Sequence, residues 1–236
     1  MVEIRSTQVY NLKEAVVASG NAMRTELTPV NDDTFEVSLG RCKKLASNGG
    51  GTGHTNFRTG ILVSFDLKYP QYFTKQLQRY HFIQYVSSTS MMHRITKMDF
   101  SKCCNKYVSK GTIRLMKNLI EIYNKLSFAK DKLEFFTVVQ NKYLPFLEEE
   151  YSQGYNPFHD DTSREDVLYD CFMRIMSNCP MGAELWGHCT TNYEQLATIY
   201  KQRKNHKLKE DWGEFCKWIE CLPYAKELIV CESNQS

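Results

Sequence analysis

A change of hydrophobic period across residues 61–82 constrains the fold more than any other feature of this sequence. Apolar residues alternate from Ile61 to Leu67, a period of two that predicts a strand ending at Tyr69-Pro70. The residues that follow recur at helical spacing and predict a helix ending near Gln84; they are Tyr72, Phe73, Gln76, Leu77, Tyr80 and Phe82. A polar segment, YVSSTSMMHR, comes next. The pattern predicts a fold that mixes strands and helices.

The second half of the chain is predicted to be mostly helical. An apolar stripe after Gly111 predicts one helix, and a second stripe runs up to Pro145. A polar stretch at about 148–163 predicts a loop that ends where Ser163 and Asp166 cap a new helix. Two more helices are expected, one from the capping pair Thr191 and Glu194 to Arg203 and one from about Asp211 to Cys221.

The first fifty residues leave alternatives open. NLKEAVVASGNAM fits a short helix, whereas DTFEVSLG fits a strand or a helix. Four glycines within residues 49–53 predict a loop that is either a flexible connection or a phosphate cradle, and the ending of a Walker loop is absent. Because no internal repeat or shift of composition occurs, we expect one domain over residues 1–236.

Composition and charge exclude several classes of protein. Hydrophobic residues at 42% and charged residues at 24% are typical of a globular chain and exclude disorder and collagen. No apolar run reaches the roughly 18 residues that cross a bilayer, and the first residues lack an export signal, so we expect a cytoplasmic protein without a membrane partner. A net charge of +3 is too small to favour nucleic acid, but six basic residues within 201–209 can hold a phosphate.

Cysteine and histidine patterns support no metal site. The nine cysteines contain no C-x-x-C pair, and we expect reduced thiols that are mostly buried as small hydrophobic groups. His159-Asp160-Asp161 is a possible cation ligand set, but turn chemistry is the stronger interpretation in this polar loop. No local motif indicates a Cys/His nucleophile.

Two clusters concentrate polar, aromatic and cationic side chains. The first contains Gln76 and Arg79, whose spacing predicts a shared helix face that could bind a base edge and a phosphate. The second joins Asn192 and Arg203 to the basic residues after them. The alternatives are ordinary surface arginines in the first cluster, and a capping asparagine with a basic helix end in the second.

The order of these motifs resembles the flavin-dependent thymidylate synthases of the ThyX type. That family has a Gly-His-Thr-like loop, a strand, a proline and then Q-x-x-RHR, and GHTNFRTGILVSFDLKYPQYFTKQLQRYHF follows the same order. CPMGAELWGHCTTNYEQLATIYKQR is similar to the family's C-terminal half, so the resemblance spans roughly residues 46–223. It implies an α+β ThyX-like fold with an antiparallel sheet, packed helices and a helix-rich C-terminal half.

The resemblance also implies site residues. The deoxyuridylate set comprises Gln76, Arg79, Arg203, Ser88, Arg94 and Arg174, where Ser88 and Arg94 depend on a short insertion. The flavin set comprises His54, Asn56, Tyr80, His81, Asn192, His206 and Lys207. The chain departs from the family at Thr59-Gly60, where the family has Glu-His, at Tyr80 in the RHR triplet, and at Glu194, where the family has a flavin-site arginine.

The implied reaction is reductive methylation of dUMP, with FAD as the hydride carrier and with methylenetetrahydrofolate and NADPH as co-substrates. Arg203 is the predicted catalytic residue, because it would stabilise negative charge on the pyrimidine. The family's active sites lie between subunits, which implies a homotetramer. Two alternatives stay open: a pyrimidine deoxynucleotide-binding or -modifying relative without flavin chemistry, and a structural or partner-binding protein.

Overall fold

The computed structural model describes residues 1–47, 53–151, 156, 158–159 and 161–231. The first half contains β1 (Glu3–Tyr10), α1 (Leu12–Ala18), α2 (Asp32–Ser47), β2 (Leu62–Pro70), α3 (Gln71–Leu77), β3 (Gln84–Ser88), α4 (Met91–Arg94), α5 (Phe100–Cys103) and α6 (Lys110–Phe128). The second half contains α7 (Lys132–Val138), α8 (Leu144–Glu150), α9 (Arg164–Asn178), β4 (Glu184–Asn192), α10 (Tyr193–Arg203), α11 (Lys209–Glu220) and α12 (Ala225–Leu228). Short 3-10 turns occupy Asn21–Met23, Asn56–Gly60 and Ile95–Lys97. The predicted α+β class with an antiparallel sheet is confirmed.

The described chain forms two compact units. The first contains Met1–Ser88 and the chain from Glu184 onward, and the second contains Thr89–Ala183. The expectation of one domain over residues 1–236 stays a prediction. No helix among the described residues is long and apolar enough to cross a membrane.

The first unit is built on a four-stranded antiparallel sheet in the order β1-β2-β4-β3. The alternation predicted for β2 is confirmed, since Val63, Phe65 and Leu67 are buried on one face. Phe65 packs against the ring of Trp218 on α11 at a centroid distance of 4.5 Å. Because successive side chains of a strand point to opposite faces, Ser64 and Asp66 lie on the other, more open face.

The second unit is a helical core, as the apolar stripes predict. Met116, Leu119 and Leu126 of α6 are fully buried together with Cys171 and Ile175 of α9. The helix predicted to begin at Ser163 is confirmed, with a capping box between the side chains and backbones of Ser163 and Asp166.

Three predicted boundaries are wrong. The helix expected to reach Gln84 ends at Leu77, because the chain turns through Gln78–Ile83 and then pairs with β4 as strand β3. The helix expected to stop at Pro145 continues through a π turn at Val139–Tyr143 into α8, in which Pro145 is the second residue.

The third wrong boundary lies before α10. Asn192, and not Thr191, caps this helix, since the Asn192 Oδ1 accepts from the backbone N–H of Gln195 at 2.8 Å. The preceding residues form β4, an inner strand of the sheet that the periodicity did not reveal. Glycine and cysteine hold two of its inward positions, Gly187 and Cys189, which weakens the apolar alternation.

The N-terminal alternatives are decided by the structure. NLKEAVVASGNAM contains α1, and DTFEVSLG lies in the helix α2 and not in a strand. β1 was not predicted. Residues 49–52 of the glycine loop and Asp160 lie outside the described residues.

None of the nine cysteines forms a disulfide, as predicted. The expectation that most are buried is wrong, because only Cys42, Cys171, Cys189 and Cys216 are buried. Burial raises the pKa of the Cys171 and Cys189 thiols to about 12, so both stay protonated at neutral pH.

Candidate functional site

The best candidate for a binding site is a cleft of about 490 Å³ in the first unit, here called the Arg203 cleft. Its walls come from the turn after α3 and from one face of α10. They consist of Arg79, Tyr80, His81, Phe82, Glu194, Gln195, Thr198, Gln202 and Arg203. The volume is within the usual range for small-molecule sites. The fold therefore brings together four of the residues predicted from the sequence: Arg79, Tyr80, His81 and Arg203.

Arg203 is held by neutral aromatic groups. Its Nε donates to the Tyr80 hydroxyl at 2.7 Å, and its guanidinium lies 5.5 Å from the Tyr80 ring and 4.8 Å from the Trp212 ring. The Tyr80 hydroxyl in turn donates to Gln202 Oε1 at 3.0 Å. No carboxylate among the described residues pairs with Arg203, so its positive charge is not neutralised. A planar cation fixed in this way suits recognition of a phosphate or of a developing anion.

Gln76 supports this arrangement from outside the cleft. Its Oε1 accepts from the indole Nε1 of Trp212 at 2.9 Å, which fixes the ring on which Arg203 lies. The expectation that Gln76 and Arg79 share a helix face is wrong, because α3 ends at Leu77 and Arg79 belongs to the following turn. Trp212 lies in the helix expected from about Asp211 to Cys221, and no sequence signal marks its contact with Arg203.

His206 and Lys207 follow the end of α10. The His206 Nδ1 accepts from the backbone N–H of Leu208 at 3.1 Å, and the ring lies 6.1 Å from Trp212. Partial burial, followed by the charges of Arg203 and Lys207, lowers the pKa of His206. The neutral ring with its proton on Nε2 is therefore the favoured form. Lys207 is exposed.

The remaining residues predicted for the nucleotide lie elsewhere. Ser88 is exposed at the end of β3 in the first unit, whereas Arg94 on α4 and Arg174 on α9 belong to the second unit. Arg174 pairs with Asp170 one helical turn away at 2.8 Å and lies over the Tyr151 ring at 4.4 Å. The Arg174 charge is therefore neutralised within its own helix.

Two residues predicted for the flavin line a different space. His54 and Asn56 border a second cleft of about 490 Å³, the His54 cleft, with Asn11, Glu14, Ser19, Thr59 and Gly60 among its other walls. Both side chains are exposed. Its described walls carry hydrogen-bonding groups and one carboxylate but no arginine or lysine.

The predicted flavin residue Asn192 serves as a helix cap, and the neighbouring Glu194 has a partner that the sequence did not reveal. The Glu194 carboxylate lies 3.5 Å from the guanidinium of Arg58, which is only 3% exposed. Arg58 also donates to the Ala46 carbonyl at 3.3 Å. The negative charge that replaces the family's arginine is thus balanced inside this chain by a buried cation next to Thr59-Gly60.

The fold is similar to that of solved flavin-dependent thymidylate synthases. The enzyme ThyX from Helicobacter pylori, complexed with FAD and dUMP, superposes with a TM-score of 0.57 and 15% sequence identity over 98% of this chain and 99% of that chain. A second structure from Helicobacter pylori, also with FAD and dUMP, has a TM-score of 0.51, 17% identity and 97% coverage of both chains. No protein-family profile matches the sequence, and no curated protein is similar to it.

At these identities the likeness shows the fold alone. The chain has a ThyX-like fold over nearly its whole length, as the order of its motifs predicts. The assignments of individual residues to nucleotide and flavin stay predictions.

Proposed function

We propose that this protein is a divergent flavin-dependent thymidylate synthase-like protein whose Arg203 cleft binds dUMP. The observation that carries the proposal is the guanidinium of Arg203, held by Tyr80 and Trp212 with no carboxylate partner, in a cleft that also contains Arg79. Two cations in one cleft suit a nucleotide monophosphate, which carries up to two negative charges. The Helicobacter pylori structures of the same fold hold dUMP.

Arg203 has the geometry for a catalytic role in this proposal. Its Nε donates a hydrogen bond to the Tyr80 hydroxyl, and its two terminal nitrogens have no hydrogen-bond partner among the described residues. A fixed cation next to a bound pyrimidine stabilises negative charge that develops on the ring during methylation. Arg79, on the exposed turn, is then the phosphate ligand, and Ser88, Arg94 and Arg174 stay weaker candidates.

The donors present fit FAD only in part. His54 and Asn56 offer an imidazole and an amide for a heterocycle, and Tyr80, His81, His206 and Lys207 offer polar and cationic groups near the Arg203 cleft. The side-chain oxygen of Asn192 already accepts a hydrogen bond from the Gln195 backbone N–H, and Glu194 is an anion paired with Arg58. These residues border separate clefts, so we propose that FAD is held where clefts of different copies meet, in a cytoplasmic homotetramer.

The chemistry then follows the resemblance. Bound FAD supplies the hydride, while methylenetetrahydrofolate supplies the carbon and NADPH the reducing equivalents. The chain's own residues orient the pyrimidine and exclude water from it, which lowers the entropic part of the barrier. No thiol is needed as a nucleophile, consistent with the raised pKa of the buried cysteines.

A second candidate function is a pyrimidine deoxynucleotide-binding or -modifying protein without flavin. The observation that favours it is the Arg58–Glu194 pair, which leaves a carboxylate and not a free cation where the resemblance implies a flavin-site arginine. In this case the Arg203 cleft keeps its ligand and the His54 cleft has lost its cofactor.

The visible absorption spectrum after incubation with FAD and desalting tests the two functions. A retained flavin band, and NADPH consumption that depends on dUMP and methylenetetrahydrofolate, support the synthase. A colourless protein that still binds dUMP supports the second candidate. A protein that binds neither overturns both and leaves a structural or partner-binding role.

A calorimetric titration with dUMP tests the cleft itself. Arg203→Ala is expected to weaken binding about 10- to 100-fold, since it removes charge-assisted hydrogen bonds worth about 1.5–3 kcal/mol. Lys201→Ala, an exposed cation on the same helix that does not line the cleft, is the matched control and should change the Kd less than twofold. Equal losses in the two variants would point to general attraction by the basic segment 201–209.

A further inference from the structure

The open face of the sheet carries a second polar constellation. Ser64 and Asp66 on β2 and His188 on β4 lie on this face, opposite the buried aromatic side. The Ser64 Oγ is 2.8 Å from His188 Nε2, and His188 Nδ1 is 2.7 Å from Asp66 Oδ1. These distances match the nucleophile, base and orienting carboxylate of serine hydrolases, which occur on unrelated folds.

The hydrogen bonds determine the roles of the two ring nitrogens. An ionised carboxylate can only accept, so His188 donates from Nδ1 to Asp66. In the neutral ring Nε2 then carries a lone pair, which accepts the hydroxyl proton of Ser64. The hydrogen bonds from His188 and then Ser6 lower the pKa of Asp66, which keeps this carboxyl ionised.

Arg5 does not form an ion pair with Asp66. Arg5 is its register partner on β1, but the Arg5 side chain pairs with Glu3 and lies 5.2 Å from the Trp186 ring. The His188 and Asp66 side chains are 40% and 39% exposed, so a substrate can reach them.

A third cleft contains the Ser64 side chain in its wall. This sheet cleft of about 440 Å³ contains Ser64 and has Tyr10, Leu62 and Phe82 as apolar walls. Phe82 is 64% exposed, as expected for a residue whose apolar surface serves a ligand and not the core. Thr190 stands directly opposite Ser64 and Gln84 opposite Thr190, so both side chains lie on the same face. Their hydroxyl and amide are hydrogen-bond donors beside the reacting centre.

We propose that Ser64, His188 and Asp66 hydrolyse a carboxylic ester with a short, uncharged acyl chain bound in the sheet cleft. Ser64 is the nucleophile, His188 is the general base and acid, and Asp66 is a positioning residue. Arg203 does not line this cleft, although Phe82 borders both clefts, and the proposal does not rest on dUMP binding.

The reaction proceeds in two balanced halves. The Ser64 oxygen bonds to the ester carbonyl carbon as its proton moves to His188 Nε2, and the carbonyl oxygen becomes an oxyanion that Thr190 and Gln84 face. The bond to the alcohol then breaks, and the alcohol leaves with the proton from Nε2. A water molecule then attacks the acyl carbon as its proton moves to the same nitrogen. The bond from the acyl carbon to the Ser64 oxygen breaks, the proton on Nε2 returns to that oxygen, and the carboxylic acid is released.

Diisopropyl fluorophosphate and p-nitrophenyl butyrate test the proposal on the full chain. The reagent should modify the wild-type protein once, at Ser64, with loss of fluoride, as read by peptide mass spectrometry. Ser64→Ala and His188→Gln should each lower kcat/KM for the butyrate ester at least 100-fold. Asp66→Asn should lower kcat at least tenfold with KM unchanged, since the acyl cleft stays intact.

Ser87→Ala is the matched control, because Ser87 lies opposite His188 on β3 but outside the three-residue contact. It should be labelled and active within twofold of the wild type. A wild-type protein without an adduct on Ser64, or hydrolysis that survives Ser64→Ala, overturns the proposal. The labelling of wild-type protein needs no variant, so it decides the matter even where a substitution impairs folding.

Discussion

Arg203 and Arg174 are both implied to contact the deoxyuridylate, yet their surroundings differ in the first unit and the second. Arg203 is held by two aromatic rings and a phenolic hydroxyl, whereas Arg174 is held by the Asp170 carboxylate. A neutral partner fixes a guanidinium without cancelling its charge, while a carboxylate cancels it. The partner, more than the arginine itself, therefore decides which cation is available to a phosphate.

Arg58 is the extreme case of a neutralised arginine. Its side chain is 4% exposed and lies against Glu194, whose side chain is 24% exposed. Arg58→Ala is expected to lower the free energy of unfolding by about 3 kcal/mol, because it leaves a largely buried carboxylate unpaired. Chemical denaturation measures this loss. Lys13→Ala breaks the exposed pair with Asp32 and should lower the free energy of unfolding far less, because water and salt screen an exposed ion pair. Similar losses in the two variants would contradict the difference between buried and exposed pairs.

Arg174→Ala should separate stability from ligand binding. We expect the free energy of unfolding to fall by about 1–2 kcal/mol, since the ion pair and the contact with Tyr151 are lost. The Kd for dUMP should stay within twofold of the wild type. Denaturation and calorimetry on the same variant check both statements. A loss of dUMP affinity comparable to that of Arg203→Ala would instead support the role implied by the family resemblance.

Tyr80→Phe should test the neutral support of Arg203. The change removes the hydroxyl that accepts from Arg203 Nε but keeps the ring, so dUMP affinity should fall about threefold to tenfold, or about 1 kcal/mol. Tyr200→Phe removes a hydroxyl that contacts the exposed Glu220 on α11 and serves as the control, with no expected change. Unchanged binding in Tyr80→Phe would mean that ring stacking alone positions the guanidinium.

The pKa of His206 is sensitive to the positive charge of Arg203, which has no carboxylate partner. We expect this effect to be the smallest of those predicted. The His206 pKa is lowered by partial burial first and by Arg203 and Lys207 next, so Arg203→Ala should raise the pKa toward its usual range, as followed by NMR. Arg174→Ala should not move it. Because the unfolded chain then binds a proton more readily than the folded one, this histidine reduces stability slightly as the pH falls through its ordinary pKa near 6.5. His206→Gln should flatten that slope, and a steeper slope would contradict it.

Prediction from the sequence succeeded where a pattern is local. The alternation around Phe65, the stripe around Met116 and the capping box at Ser163 each involve neighbours within one or two turns or a few strand residues. Prediction failed for β4, whose position between β2 and β3 depends on strands about a hundred or more residues away. It also failed for the end of α3, because pairing with β4 competes with continuation of the helix.

The candidate sites show the same division. The order of the sequence motifs predicts that Arg79, Tyr80, His81 and Arg203 are site residues. The structure places all four around one cleft. The partners of these groups were not foreseen. No sequence pattern indicates the contact between Trp212 and Arg203 or the pair of Arg58 with Glu194. Nor does any motif mark the contacts among Ser64, Asp66 and His188.

The sequence by itself determined the fold class, the helical stripes, one strand and the concentration of cations near the end of α10, since hydrophobic period and charge are properties of short segments. The tertiary structure alone decided which cation has no carboxylate partner and which hydroxyl forms a hydrogen bond with an imidazole. Such partners come from distant strands and helices. Distances of about 3 Å, set by the register of β2 against β4 and by the packing of α10 on α11, determine them.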